Sequence, residues 1–239
     1  MTADRPGAAS ASLVSPALRD RVRGLAAPIA RGLGRLGLSP NALTLIGFVG
    51  TCLGALAAAN GRWLIAGLLI LGFGIFDLFD GTLARQTGRA TKLGAFLDST
   101  FDRAGEGIVY VGIAAGSLGG GFSPGAILAA SAMAAAFMVS YTRAKSESLG
   151  FASGTGMASV GLAPREVRIA ILSIGLIWLG LIPTGLACDL VDPGTPTSCF
   201  AGGSLGETVL LGTLSLITVL ATITTIQRIL HVRAQSREG

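Results

Sequence analysis

Four aspartates, Asp77, Asp80, Asp98 and Asp102, lie within the stretch DLFDGTLARQTGRATKLGAFLDSTFD, in segments otherwise apolar enough to span a bilayer. Asp77 and Asp80 are three residues apart, and Asp98 and Asp102 four apart, so on helices each pair shares one face. An aspartate at the centre of a membrane helix costs roughly 2.5–3.5 kcal/mol. Four of them left uncompensated would remove a large part of what keeps a small protein folded. Positive charge must therefore sit among them. The membrane-embedded base nearby is Arg103, and one guanidinium cannot neutralise four carboxylates. Hard divalent cations such as Mg²⁺ or Mn²⁺ prefer carboxylate oxygens, and two such ions bridged by shared carboxylates suit phosphoryl transfer. A proton relay or a set of separate ion pairs would also answer the charge, but the surrounding glycines and Arg85 favour a metal site at Asp77, Asp80, Asp98 and Asp102.

The full pattern is Asp77-x2-Asp80-Gly81-x2-Ala84-Arg85-x8-Gly94-x3-Asp98-x3-Asp102. It resembles, at every position, the signature of the CDP-alcohol phosphotransferase family, and the likeness extends over roughly residues 27–235. The resemblance implies a membrane enzyme that displaces CMP from a CDP-linked lipid with an alcohol, using two Mg²⁺ or Mn²⁺ ions. It also implies that Asp102 is the general base. By the same resemblance the CDP-lipid is held by Asn41, Thr44, Asp77, Gly81, Ala84, Arg85, Thr91 and Gly94, and the enzyme is a homodimer.

The elements that must carry these residues follow from composition. Of the 239 residues 51% are hydrophobic and only 13% charged, with a mean hydropathy of +0.68. These values predict an all-α integral membrane protein, with 36 glycines letting helices approach closely. Residues 1–17 are rich in Ala, Ser, Pro and Gly and predict a disordered tail without the apolar core of a cleavable signal. Residues 18–38 alternate arginines with apolar residues, as in an amphipathic juxtamembrane helix lying on an anionic leaflet, or as in a polar-faced lead-in to the first span. Six transmembrane helices fill residues 39–232: one from Ser39-Pro40-Asn41 to about Ala59, then Trp63 to about Ala84, and about Gly94 to Gly116. Pro124 to about Thr142, Arg168–Leu186 and Glu207–Ile229 complete the set, leaving residues 233–239 as a tail. Ser39 or Asn41 is placed to cap the first span. Trp63 and Trp178 fall near span ends, as interfacial aromatics do, or as packing residues would.

Of the 18 Lys and Arg, all but Arg62 and Arg103 lie in the N-terminal region, at 85–92, at 143–168, or at the C-terminal end. An even number of crossings puts those clusters on one side, cytoplasmic by the positive-inside rule, so both termini and the aspartates face the cytoplasm from a cell membrane. Asp80 and Asp77 then lie about 7–12 Å back from Arg85 along the helix, at the level of a lipid diphosphate. The net charge of +5 is read through this topology rather than as a nucleic-acid footprint. Cys52 sits in an apolar span as a small packing residue, whereas Cys188 and Cys199 flank the outer loop 187–206 and leave a disulfide open. His231 has no partner that would make it a ligand.

A second group, Ser140, Arg143, Lys145, Arg165 and Arg168, lies in the inner loop region 140–168. Such cations are by default topology determinants, yet beside an acidic metal site they also make an anion pocket, for which the guanidinium fork is suited. SYTRAKSES followed by GLAPREVR, with APIARGLGRLGLSPNALTLIG at residues 27–47, resembles the subgroup that makes phosphatidylinositol phosphate or its archaeal ether-lipid counterpart. In that subgroup the five residues surround an inositol phosphate. Pro164 and Val167 depart from it, standing where glutamates are common. The reaction expected is transfer of the phosphatidyl group from CDP-diacylglycerol to a hydroxyl of inositol 1-phosphate. Glycerol 3-phosphate is the alternative acceptor, and a cation-coupled transporter the alternative of another class. Against the transporter, there is no internal repeat and the aspartates lie off the midplane. Glu106, one turn beyond Asp102, fits either a group behind the metal ligands or a packing carboxyl.

Overall fold

The computed structural model describes residues 37–87, 91–151, 160–182 and 203–237, with residues 28, 32, 34 and 35; the side chains of 77–82, 84–87 and 204 lie outside the description. The tail 1–17, most of the segment 18–38 and both Cys188 and Cys199 are likewise outside it.

Six helices and no strand are formed by the described residues: α1 Pro40–Ala59, α2 Trp63–Thr87, α3 Lys92–Gly119, α4 Ser123–Ser148, α5 Arg165–Leu181 and α6 Gly203–Gln235. Their starts carry local signals. Ser39 caps α1, its hydroxyl accepting from the Ala42 N–H at 3.2 Å, and Pro40 occupies the first turn where its missing N–H is harmless. Thr91 caps α3 by accepting from the Gly94 N–H at 3.0 Å. Tight turns close α1–α2 at Gly61 and α3–α4 at Gly121, both with positive φ.

The helices close into a ring in which each packs mainly on two others, in the order α1, α2, α5, α6, α4, α3 and back to α1. Small residues set the spacing. A Cβ on Gly112 would stand 2.3 Å from the Ala55 carbonyl oxygen, and one on Gly116 2.1 Å from that of Ala58, so α3 lies against the backbone of α1 as only glycine allows. The interior holds Ala55, Ala58, Ala66, Ile70, Val109, Ile113, Ala132, Leu172, Leu176 and Leu214.

Large apolar side chains also cover the outside: Leu45, Val49, Leu53 and Leu56 on α1, and Leu216, Val219, Ile226 and Leu230 on α6 are all exposed. A water-facing helix would carry polar residues there, whereas a lipid-facing one is apolar around its circumference. Among the described residues three helices are long and apolar enough to cross a membrane: Pro40–Ala59, Ser123–Ser148 and Leu205–Gln235, with Trp63–Phe76 apolar but shorter. Trp178 is exposed, but Trp63 is buried in the core and is a packing residue rather than an interfacial one. Cys52 is half-buried and unpaired, as a packing residue would be.

Candidate active site

α2 runs unbroken through Asp77, Asp80, Gly81, Ala84 and Arg85, and α3 carries Asp98 and Asp102 a turn apart. The side chains of the α2 residues are outside the description, so only the α3 half of the expected acidic layer is described. There Asp98 is half-buried. Asp102 keeps 18% of its side chain exposed and accepts from Arg165 at the first residue of α5, Nη1 to Oδ1 2.9 Å. Its other oxygen lies 3.7 Å from Arg103 Nη1, but that guanidinium is held mainly by the Ser99 carbonyl at 2.8 Å and hydroxyl at 3.1 Å.

Asp102 and Arg165 line a small cleft between α1, α3 and the start of α5. Thr44, Phe48 and Thr51 of α1 line it opposite Phe101 of α3, and the Phe48 and Phe101 rings contact each other with centroids 4.9 Å apart. Both threonine hydroxyls bond back into α1, Thr44 to the Pro40 carbonyl at 3.2 Å and Thr51 to that of Gly47 at 2.9 Å. Of the four expected CDP-lipid residues outside α2, Asn41, Thr91 and Gly94 meet at the adjoining helix starts, while Thr44 lines the cleft. A Cβ on Gly94 would lie 3.1 Å from both Asn41 Oδ1 and Thr91 Oγ1.

Among the described residues no three carboxylate, imidazole or thiol groups cluster, as follows when two of the four candidate ligands have no described side chain. The chemistry of the two that are described fits a hard cation. Asp98 and Asp102 offer only oxygen donors from one helix face, and Asp102 opens onto the cleft.

The basic group divides. Arg165 faces the cleft. Arg143 is half-exposed on α4 and pairs with Glu147 of the same helix, Nε to Oε1 2.8 Å. Lys145 is exposed near the end of α4, and Ser140 half-buried above it. Arg168 departs from the expectation of an open phosphate ligand. It is 1% exposed, and Nε and Nη2 donate to Glu106 Oε1 and Oε2 at 2.9 and 2.8 Å. Its Nη1 donates to the Ala163 carbonyl at 3.0 Å. Burial and bonding to three internal acceptors hold it back from the cleft, whose lining does not include it.

The sequence marks Arg228 of α6 only as one of the basic residues that fix topology. It is 3% exposed and donates from Nε to the Val160 carbonyl at 3.1 Å and from Nη1 to the Val139 carbonyl. Thr224, one turn earlier, accepts from the Ala163 N–H at 3.0 Å. The strap 160–164 that launches α5 is thus held from α6. Gly161 is required in it: φ is +117°, and a Cβ would sit 2.3 Å from Thr224 Cγ2. We expect Gly161→Ala to cost on the order of 1–3 kcal/mol, read as a lowered thermal midpoint in detergent; an unchanged midpoint would show the strap to be adaptable.

Against known families, residues 37–191 match the family model of CDP-alcohol phosphatidyltransferase. The chain is 34% identical over 215 residues to the phosphatidylinositol phosphate synthase of Streptomyces avermitilis, covering 89% of this chain and 79% of that protein. It is 38% identical over 141 residues to the archaetidylinositol phosphate synthase of Methanothermobacter thermautotrophicus, covering 59% of this chain and 67% of that protein. Among solved structures it is similar to Mycobacterium tuberculosis phosphatidylinositol phosphate synthase with CDP-DAG bound. That match has a TM-score of 0.66 and 29% identity, and covers 87% of this chain and 94% of that one. The same synthase in complex with manganese and citrate matches with a TM-score of 0.67 and 28% identity, over 87% and 88% of the two chains.

Proposed function

The chain belongs to the CDP-alcohol phosphatidyltransferase family, and from that premise we propose that it moves the phosphatidyl group of CDP-diacylglycerol onto a hydroxyl of inositol 1-phosphate, giving phosphatidylinositol phosphate and CMP. The single observation that carries the acceptor is Arg165 Nη1 lying 2.9 Å from Asp102 Oδ1. A cation able to hold a phosphate and a carboxylate able to take a hydroxyl proton stand side by side in the lining of the cleft. The relatives named above as inositol-phosphate-lipid synthases, and the one solved with CDP-DAG, support the same pair of substrates.

In this reading six helices cross the membrane and the acidic layer lies near the cytoplasmic surface. Asp77, Asp80, Asp98 and Asp102 would hold divalent cations, Mg²⁺ or Mn²⁺. When bound, those ions neutralise the diphosphate and the charge developing on the leaving CMP. The synthase solved with manganese supports this choice of ion. Gly81, Ala84 and Arg85, with the Asn41, Thr44, Thr91 and Gly94 helix starts, bind the cytidine end of the lipid. Arg165, joined by Ser140, Arg143 and Lys145 from the end of α4, binds the acceptor's phosphate. Asp102 removes the acceptor's hydroxyl proton as the oxygen attacks the lipid-side phosphorus, and the bond to CMP breaks. Phe48 and Phe101 exclude water from the cleft, so hydrolysis of the CDP-lipid is suppressed.

The test is CMP release by the purified protein from CDP-diacylglycerol with Mg²⁺ or Mn²⁺, offered inositol 1-phosphate, glycerol 3-phosphate or unphosphorylated inositol. Fastest turnover with inositol 1-phosphate is expected. Preference for inositol would remove the phosphate-binding role of the arginine, and no CMP with any acceptor would remove the reaction.

A further inference from the structure

We propose that Glu106 and Arg168 are positioning residues that aim Arg165 at Asp102 and so determine where the acceptor phosphate binds; the inference rests on the reaction just proposed. Asp102 and Glu106 are one turn apart on α3, and Arg165 and Arg168 one turn apart on α5. They pair across the two helices as a ladder of two rungs. The upper rung, Arg165 to Asp102, opens on the cleft with side-chain exposures of 22% and 18%. The lower rung, Arg168 to Glu106, is 1% exposed on each side and bidentate.

Such a rung is a costly way to gain stability. Removing two charges from water offsets most of what their attraction returns, and well-packed apolar residues of like volume usually do as well. What the ion pair adds is direction: a planar fork on a carboxylate fixes rotation and sliding of one helix against the other. Arg168 also holds the Ala163 carbonyl at 3.0 Å, while Thr224 holds the Ala163 N–H at the same distance. Both polar groups of the residue before Pro164 are therefore fixed, and Arg165 leaves the strap in one direction only. Had α5 been free to turn, its first arginine would sweep away from Asp102. The same geometry withdraws Arg168 from the cleft, so α5 presents one guanidinium there rather than two.

The decisive variant is the double substitution Glu106→Gln with Arg168→Met in the full-length protein, which removes both charges at similar volume. It is expected to fold with a thermal midpoint lowered by less than when Arg168 alone is replaced, because no charge is left buried although the Ala163 carbonyl loses its donor. Its KM for the phosphorylated acceptor should rise about tenfold or more, with KM for CDP-diacylglycerol within twofold. Its Mn²⁺ affinity, followed by the free Mn²⁺ resonance, should increase several-fold, because Arg165 no longer competes for Asp102. Arg165→Gln should show the same gain in Mn²⁺ affinity. A folded double variant with wild-type acceptor KM and wild-type Mn²⁺ affinity overturns the positioning role and leaves a packing one. If the double variant does not fold, Glu106→Asp keeps the charges but draws the carboxylate back from the fork by one methylene. A raised acceptor KM at unchanged CDP-diacylglycerol KM then supports the ladder, and unchanged values overturn it. Wild-type protein that releases no CMP overturns the proposed reaction alone, and the Mn²⁺ titration then decides the positioning role.

Discussion

Asp102→Asn is expected to lower CMP release by roughly 10²–10⁴-fold, the range over which a positioned general base contributes, while the protein stays folded. The upper end is favoured because the same carboxylate has two roles: proton acceptor, and oxygen donor on the face it shares with Asp98. Asparagine keeps the shape and one oxygen, so the Arg165 contact at 2.9 Å survives as a hydrogen bond from the guanidinium to a neutral amide oxygen, and helix packing is undisturbed. At 18% exposure the substitution buries no new orphan group. Turnover within threefold of the wild type, in a variant with a normal thermal midpoint, would remove Asp102 from the chemistry. Loss of folding instead of turnover would make the aspartate structural.

The second large effect falls on stability. Arg168→Gln leaves Glu106 buried without its partner. Breaking one side of a buried ion pair costs on the order of 3–5 kcal/mol, because a carboxylate at 1% exposure has no water to turn to. For a chain of this size that corresponds to a thermal midpoint lower by about 10 °C. The Ala163 carbonyl loses its donor as well, adding to the loss. Arg143→Gln is the natural control, since its pair with Glu147 is 41% exposed on both sides, and such pairs contribute about 1 kcal/mol or less. Equal shifts for the two variants would contradict the burial argument.

Helix positions were readable in the sequence because each apolar run is bounded by its own signals. Ser39-Pro40 opens α1, Gly61 and Gly121 make the turns, and Thr91 caps α3. The first helix ends where expected, at Ala59. α5 begins three residues earlier than expected, because Pro164 can precede a helix but not continue one. The acidic spacing was readable for the same local reason: three and four residues apart is one helix face.

The partner of Glu106 was not readable. Arg168 lies 62 residues away, and no local pattern states that a turn of α5 will face a turn of α3. For Arg228 the partners are backbone carbonyls 68 and 89 residues distant, which have no signature in side-chain identity. Both arginines therefore looked like cytoplasmic charge or phosphate ligands, while the fold buries them. One clue was present: each sits among apolar residues within a helix, Arg168 in VRIAIL and Arg228 in QRIL. A cation so placed has to find an internal acceptor.

The account depends on divalent cations being what makes carboxylates tolerable in an apolar ring of helices. Equilibrium binding of Mn²⁺ to the purified protein, measured from the free-ion resonance, tests that most directly. Saturable binding is predicted for the wild type, lost when Asp98 and Asp102 are both replaced by Asn in a variant that still folds. Wild-type protein that leaves Mn²⁺ free, or a double variant that binds it as tightly as the wild type, would contradict the account.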